Sequence, residues 1–209
     1  MPIPTSLLTA LPVCLMAYLI GSIPFAMISA RLFSLADPRT YGSGNPGATN
    51  VLRSGNRKAA LFTLLGDTLK GTAVVLICRA LGLEDWITGC AALAVFYGHI
   101  FPVFLRFKGG KGVATAGGTL LALEPLVGFS ALATWIAAAF GLRYSSLASL
   151  LAGLLAPLYS FLFYGADGHV LIVFVFGATL IFKHRVNIRR LLAGEETKIG
   201  ARKAEPDEG

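Results

Sequence analysis

Long uncharged stretches alternate along the chain with short polar ones, and this alternation predicts helices of membrane-crossing length. A hydrocarbon core about 30 Å thick needs about 20 apolar residues per helical crossing. Segments 125–142 and 145–164 contain no Asp, Glu, Lys, Arg or His, and of these 86–105 contains only His99. Nothing before Arg31 is charged. Read in order, the apolar segments are 5–30, 59–79, 86–105, 112–123, 125–142, 145–164 and 168–182. The fourth and seventh are too short to cross lipid unaided and must be shielded by neighbours or extended by their flanks. The expected fold is therefore all-α: a polytopic integral membrane protein of about seven transmembrane helices. One transmembrane domain covers 1–200, and the polar, mixed-charge end at 201–209 reads as a disordered tail.

Composition agrees, with 55% hydrophobic and 14% charged residues where a soluble chain carries about a quarter charged. A soluble enzyme, a disordered chain and a nucleic-acid binder are all poor readings. The net charge of +7 does not point to nucleic acid, because its distribution is topological. All Lys and Arg except Lys70 and Arg79 fall at 31–58, 106–111, 143 and 183–203. The intervening connections carry Glu84, Asp85, Glu124 and Asp167. The positive-inside rule then places the N-terminus outside and the C-terminus in the cytoplasm. Cys14, Cys78 and Cys90 lie in apolar runs with no disulfide or zinc spacing. Asp67 and Lys70, at i and i+3 inside an apolar segment, read as a structural ion pair.

The residues that can do chemistry all lie on the basic side. Glycines in Tyr41-Gly-Ser-Gly-Asn-Pro-Gly-Ala-Thr-Asn-Val-Leu-Arg53 can turn backbone N–H groups toward an anion. Ser43, Thr49, Asn50 and Arg53 add donors. No Gly-Lys-Ser/Thr closes this loop, so it is not a Walker A motif. Glycine alone would suit any flexible loop, but the density of donors and the absence of acid between Asp37 and Asp67 favour an anion site. A second loop, Arg106-Phe-Lys-Gly-Gly-Lys-Gly112, leads straight into a helix and offers Gly109, Gly110, Lys111 and Gly112 to another anion. In His184-Arg-Val-Asn-Ile-Arg-Arg-Leu-Leu-Ala-Gly-Glu-Glu196, His184 and Asn187 are neighbours on one helical face, with Arg189 or Arg190 nearby. Hydroxyls in Tyr144-Ser-Ser-Leu-Ala-Ser149 begin the sixth span on the same side, where serines commonly cap helices. Two anion loops on one face suggest two phosphate-bearing ligands, or one ligand with two anionic groups.

These motifs, with Gly98-His-Ile-Phe-Pro-Val-Phe104 and Gly21-Ser-Ile-Pro24, closely resemble the bacterial acyl-phosphate:glycerol-3-phosphate acyltransferases (the PlsY family) over nearly the whole chain. The resemblance implies transfer of a fatty acyl group from acyl phosphate to the 1-hydroxyl of glycerol 3-phosphate, giving lysophosphatidic acid and inorganic phosphate. That is the first step of phospholipid synthesis, at the inner membrane, with the active site facing the cytoplasm. It implies that Ser43, the backbone of Gly44, Asn45, Gly47 and Ala48, and Ser149 hold the acyl phosphate's phosphoryl group. Arg53, Lys111, His184 and Asn187 would hold and orient glycerol 3-phosphate, with Asn50, Gly109, Gly110, Gly112 and Glu196 completing the binding set. The pair Glu195-Glu196 leaves open which glutamate is the motif's. His184 and the leaving phosphate are alternative proton acceptors. No His-x₄-Asp dyad follows His99, His169 or His184, whose fifth following residues are Phe104, Phe174 and Arg189. No nucleophile–base pairing is recognisable, so direct attack by the glycerol hydroxyl is favoured over an acyl-enzyme. No cofactor and no metal are expected, since no cytoplasmic carboxylate cluster suits Mg²⁺. The partners are small-molecule substrates and membrane lipid, not nucleic acid. A transporter of organophosphate anions is the alternative, but its binding groups belong near the bilayer midplane and often in inverted repeats, of which none is visible.

Overall fold

A computed structural model of the chain describes residues 5–200, and every regular element among them is helical. The tail expected at 201–209 lies outside the described residues. In chain order the helices are α1 (Thr5–Gly21), α2 (Phe25–Leu32), α3 (Ala48–Leu52), α4 (Arg57–Ala80) and α5 (Asp85–Ile100), followed by a 3₁₀ turn at Val103–Leu105. Then come α6 (Val113–Leu123), α7 (Pro125–Leu142), α8 (Ser145–Tyr164), α9 (Gly168–Lys183) and α10 (Arg185–Leu192).

Local chemistry sets these boundaries. Pro24 has no N–H to donate and disfavours α geometry in the residue before it, so the apolar segment 5–30 breaks into α1 and α2. The Asn56 side chain accepts from Ala59 N at 3.0 Å and caps α4. Pro125 occupies the first turn of α7, where a missing N–H costs nothing. Asp167 accepts from the backbone N–H groups of His169 and Val170 and caps α9.

Five segments are long and apolar enough to cross a membrane: Leu8–Leu32, Arg57–Ala80, Asp85–Leu105, Pro125–Leu142 and Ser145–Tyr164. Helix α9 passes the same test only together with α10, from which it is bent by 57°. Helix α6, with 11 residues, reaches about 16 Å, roughly half of a bilayer core. It is shielded by close packing on α4. A Cβ added at Gly118 would lie 2.1 Å from Thr68 O, and one at Gly71 would lie 2.5 Å from Thr119 Oγ1. The α1–α5 crossing is built the same way, since a Cβ at Gly98 would lie 2.2 Å from Tyr18 O. Small residues let helix backbones approach in lipid, where apolar burial gives helices no reason to associate.

The interior is apolar at its centre, where Phe96 and Phe176 meet edge to face with centroids 4.7 Å apart. The outside is also apolar. Leu11, Phe129, Phe140 and Phe174 all point outward, and Phe140 is 82% exposed. That inversion suits a lipid surround. Within the bundle, Lys70 Nζ sits 2.8 Å from Asp67 Oδ1, the ion pair read from the sequence. The structure adds a third member, His99, whose Nδ1 lies 3.3 Å from the same oxygen. Lys70 also donates to Ile23 O in the break between α1 and α2. The cluster therefore ties three segments together directly beneath the Gly109–Gly110 turn.

Candidate active site

The three polar motifs converge at one end of the bundle, where α6 and α8 begin and α9 ends. Lys111 Nζ donates to Asn187 Oδ1. Asn187 Nδ2 donates to Glu196 Oε1 at 2.7 Å, and Ser146 Oγ donates to the same oxygen at 2.7 Å. Of the two adjacent glutamates, Glu196 is the one that joins this network, while Glu195 is exposed. This chain joins the second and third motifs to the start of α8. Ser146 belongs to the hydroxyl-bearing segment read there from the sequence, in which only Ser149 was given a role.

His184 is 2% exposed at the corner between α9 and α10, and its Nδ1 lies 2.8 Å from Leu180 O. A carbonyl can only accept, so Nδ1 carries the hydrogen and Nε2 is left as the acceptor. Burial, then the neighbouring Lys111 charge, lowers the imidazole to about 4. Burial also lowers the Lys111 ammonium to about 8. The Glu196 carboxylate opposes that change, and the positive charges of Arg190, Arg53 and Lys183 reinforce it. At neutral pH the site therefore holds a protonated lysine beside a neutral histidine. Arg190 and Lys183 belong to its cationic rim although the sequence reading gave them no role.

The first loop docks alongside. Thr49 Oγ1 lies 3.2 Å from Ser145 Oγ at the head of α8. Gly42 and Gly44 adopt positive φ of 58° and 67°, which glycine alone tolerates without strain. The Arg53 side chain folds back over Gly42. Ser43, with Gly42 and Gly44, lines an open cleft beside Arg39, Thr40 and Tyr41. Among the described residues no hydrogen bond links Ser43 to the Lys111–Asn187–Glu196 chain.

Several residues expected to touch an anion have other work. Asn50 is 2% exposed and holds the loop itself. Its Oδ1 accepts from Ser43 N at 2.9 Å and its Nδ2 donates to Pro38 O at 2.6 Å and Tyr41 O at 3.2 Å. Both amide hydrogens are thereby used. The N–H groups of Gly109 and Gly110 donate to Ile100 O and His99 O, each at 3.2 Å, so they are not free for a ligand. These glycines are needed for close approach, because a Cβ at Gly110 would lie 2.3 Å from His99 Nε2. Gly112 (φ 86°) turns the chain into α6 against Phe96. Ser149 Oγ donates to Ser145 O at 2.8 Å and accepts from Trp135 Nε1 at 3.0 Å. Its single hydrogen is committed within the bundle. Hydrogen-bond inventory, invisible in a motif, decides each of these cases.

The family model described as glycerol-3-phosphate acyltransferase matches residues 11–194. The chain belongs to the glycerol-3-phosphate acyltransferase family. Among the relatives bearing that name, the Dechloromonas aromatica (strain RCB) protein is 59% identical over 187 residues, covering 90% of this chain and 94% of its own. The Cupriavidus taiwanensis protein is 56% identical over 193 residues, covering 90% and 96%. Two crystal structures of PlsY (YgiH), an integral membrane glycerol 3-phosphate acyltransferase, superpose on the chain at 40% sequence identity, each covering 92% of this chain and 96% of its own. The glycerol 3-phosphate form gives a TM-score of 0.86 and the lysophosphatidic acid form 0.84. The enzymatic class read from the motifs is therefore that of the family.

Proposed function

We propose that this acyltransferase takes its acyl group from a fatty acyl phosphate and delivers it to the 1-hydroxyl of glycerol 3-phosphate. The hydroxyl oxygen attacks the acyl carbon, the bond from that carbon to the phosphate oxygen breaks, and lysophosphatidic acid and inorganic phosphate leave. The observation carrying this reading is the Lys111–Asn187–Glu196–Ser146 chain, with neutral His184 and the surrounding cations, beside a glycine-rich loop of donors. Support for the acceptor and product comes from the related structures in glycerol 3-phosphate and lysophosphatidic acid forms.

In this reading Lys111 and Arg53 bind the glycerol 3-phosphate phosphate, and Glu196 holds Asn187 so that its amide positions the substrate. His184 Nε2 accepts a hydrogen bond from the attacking hydroxyl. The N–H groups of Gly44 and Gly47 already donate to Tyr41 O and Asn45 O, so the backbone of Asn45 and Ala48 takes the phosphoryl group of the donor, with Ser43 once its hydroxyl turns from Asn50 Oδ1. Fixed charges of this kind usually supply the largest catalytic contribution. As the new bond to the acyl carbon forms, the hydroxyl hydrogen turns from Nε2 and its proton passes to the departing phosphate. Purified protein in detergent, given acyl phosphate and glycerol 3-phosphate with a chelator and without ATP or coenzyme A, is expected to release phosphate and form lysophosphatidic acid. Absence of turnover there, with organophosphate uptake in vesicles, would favour the transporter instead.

We also propose seven crossings, α1 with α2 counting as one and α6 included, with the site at the cytoplasmic face of a bacterial inner membrane. The support is the basic flanks beside the site and the acidic connections at the opposite end. In a background lacking Cys14, Cys78 and Cys90, Ser54→Cys and Lys108→Cys should react with an impermeant maleimide only after the membrane is opened. Asp85→Cys should react in intact cells. Reversal of that pattern would overturn the orientation.

A further inference from the structure

At the end of the bundle away from Lys111, three side chains converge that acyl transfer does not use. Glu124 lies between α6 and α7, Asp167 caps α9, and His169 stands in the first turn of α9. One oxygen or nitrogen from each lies within 4.8 Å of the others. Glu124 is 2% exposed. Its Oε2 accepts from Ser160 Oγ at 2.8 Å, whereas its Oε1 has no hydrogen-bond partner among the described residues. That unpartnered oxygen faces His169 Nδ1 at 3.4 Å. Asp167 Oδ2 lies 3.8 Å from the same nitrogen. Asp167 Oδ1 is used in capping, accepting from His169 N at 3.0 Å and Val170 N at 3.2 Å.

A buried carboxylate oxygen without a hydrogen bond is costly, and a bound cation, like protonation of the carboxyl, removes the cost. Two of the three separations, 3.4 and 3.8 Å, come close to what zinc requires. Zinc bonds of about 2.0–2.2 Å in a tetrahedron separate neighbouring ligand atoms by about 3.3–3.6 Å. An imidazole nitrogen with two carboxylate oxygens suits Zn²⁺ better than Ca²⁺ or Mg²⁺, which prefer all-oxygen sites. Each carboxylate already has the outer support that metal ligands carry: Ser160 fixes Glu124, and two backbone N–H groups fix Asp167. We propose that Glu124, Asp167 and His169 form a binding site for a divalent transition-metal ion of the Zn²⁺ class. The ion would leave at least one position for water and would clip the α6–α7 junction to the start of α9. The clip is structural, because these residues stand at the opposite end of α6 and α9 from Lys111 and His184.

The test uses the full chain in detergent, free of any polyhistidine tag and stripped with a chelator that is then removed. Titration with ZnCl₂ should show one ion per chain and a thermal midpoint that rises to saturation with the ion. Co²⁺ in its place should give the intense visible bands of coordination below six. Asp167→Asn keeps an oxygen to cap α9, and His169→Gln removes the nitrogen ligand. Each should weaken binding by at least about 10–100-fold, the loss typical even of a ligand's outer support. Acyl transfer by both variants, measured without metal, reports that they are folded. Failure of the native chain to take up one equivalent would overturn the proposal. So would an unchanged Co²⁺ spectrum in both variants, which would put the ion elsewhere. Retained Zn²⁺ titration with no effect on the thermal midpoint would overturn the clip.

Discussion

Replacing Lys111 with methionine is expected to lower kcat/KM for acyl transfer by about 10²–10³-fold, the cost of losing one preorganised charge at a reacting centre. Methionine keeps the length of the side chain but leaves Asn187 Oδ1 without its donor, so the amide that should orient the substrate is also released. The pH dependence separates charge from shape. Burial lowers the Lys111 ammonium to about 8, so the charged, active form is complete at lower pH and is lost as pH rises through that value. The free-enzyme profile, kcat/KM, should therefore fall above about pH 8. Lys111→Arg keeps a cation across this range, because guanidinium does not titrate. Its activity should be lower, since a planar fork does not replace a point charge, but flat where the native enzyme declines. A falling limb shared by native enzyme and arginine variant would remove Lys111 as its source.

His184→Gln is expected to lower kcat/KM by about 10²-fold, the scale set by misplacing a reacting group by about 1 Å. The reason is positional. The imidazole is fixed through Nδ1 to Leu180 O, and glutamine can accept a hydrogen bond but cannot reproduce that anchor. Lowered to about 4, His184 is already neutral across the working range, so no limb near the ordinary histidine value of about 6.5 should appear from it. Taking a proton would create a buried imidazolium beside Lys111, opposed by the same burial and charge that lower it. The substrate's own phosphate, with a second pKa near 6, can give kcat/KM an acid limb, and that limb should survive in the variant. If instead kcat shows a limb near pH 4 that vanishes in His184→Gln while KM stays constant, the histidine is the base.

Much of the helical frame was legible from hydrophobic continuity, because lipid demands long uncharged runs. The segments read at 125–142 and 145–164 match α7 and α8 to the residue. Pro24 signalled a break, yet 5–30 was read as continuous because apolar content alone hides a bend. The five-residue helix α3 is too short to leave a periodic trace. At the site, residue type was readable and direction was not. Asn50, Gly109, Gly110 and Ser149 carry the right groups but turn them inward, whereas Ser146 turns its hydroxyl to Glu196. His99 joined the Asp67–Lys70 pair from a separate helix, a contact that no spacing within one segment could reveal.

The 57° bend at His184 has a kinetic consequence. It places the corner where the apolar residues of α9 give way to the basic ones of α10, so in the proposed reaction a donor with a long acyl chain would arrive by lateral diffusion and its product would depart the same way. For such a substrate the governing quantity is its mole fraction among surrounding lipids or detergent, and bulk molarity is irrelevant. Adding inert lipid at constant donor would slow the reaction by two-dimensional dilution, while glycerol 3-phosphate, arriving from water, would obey ordinary saturation.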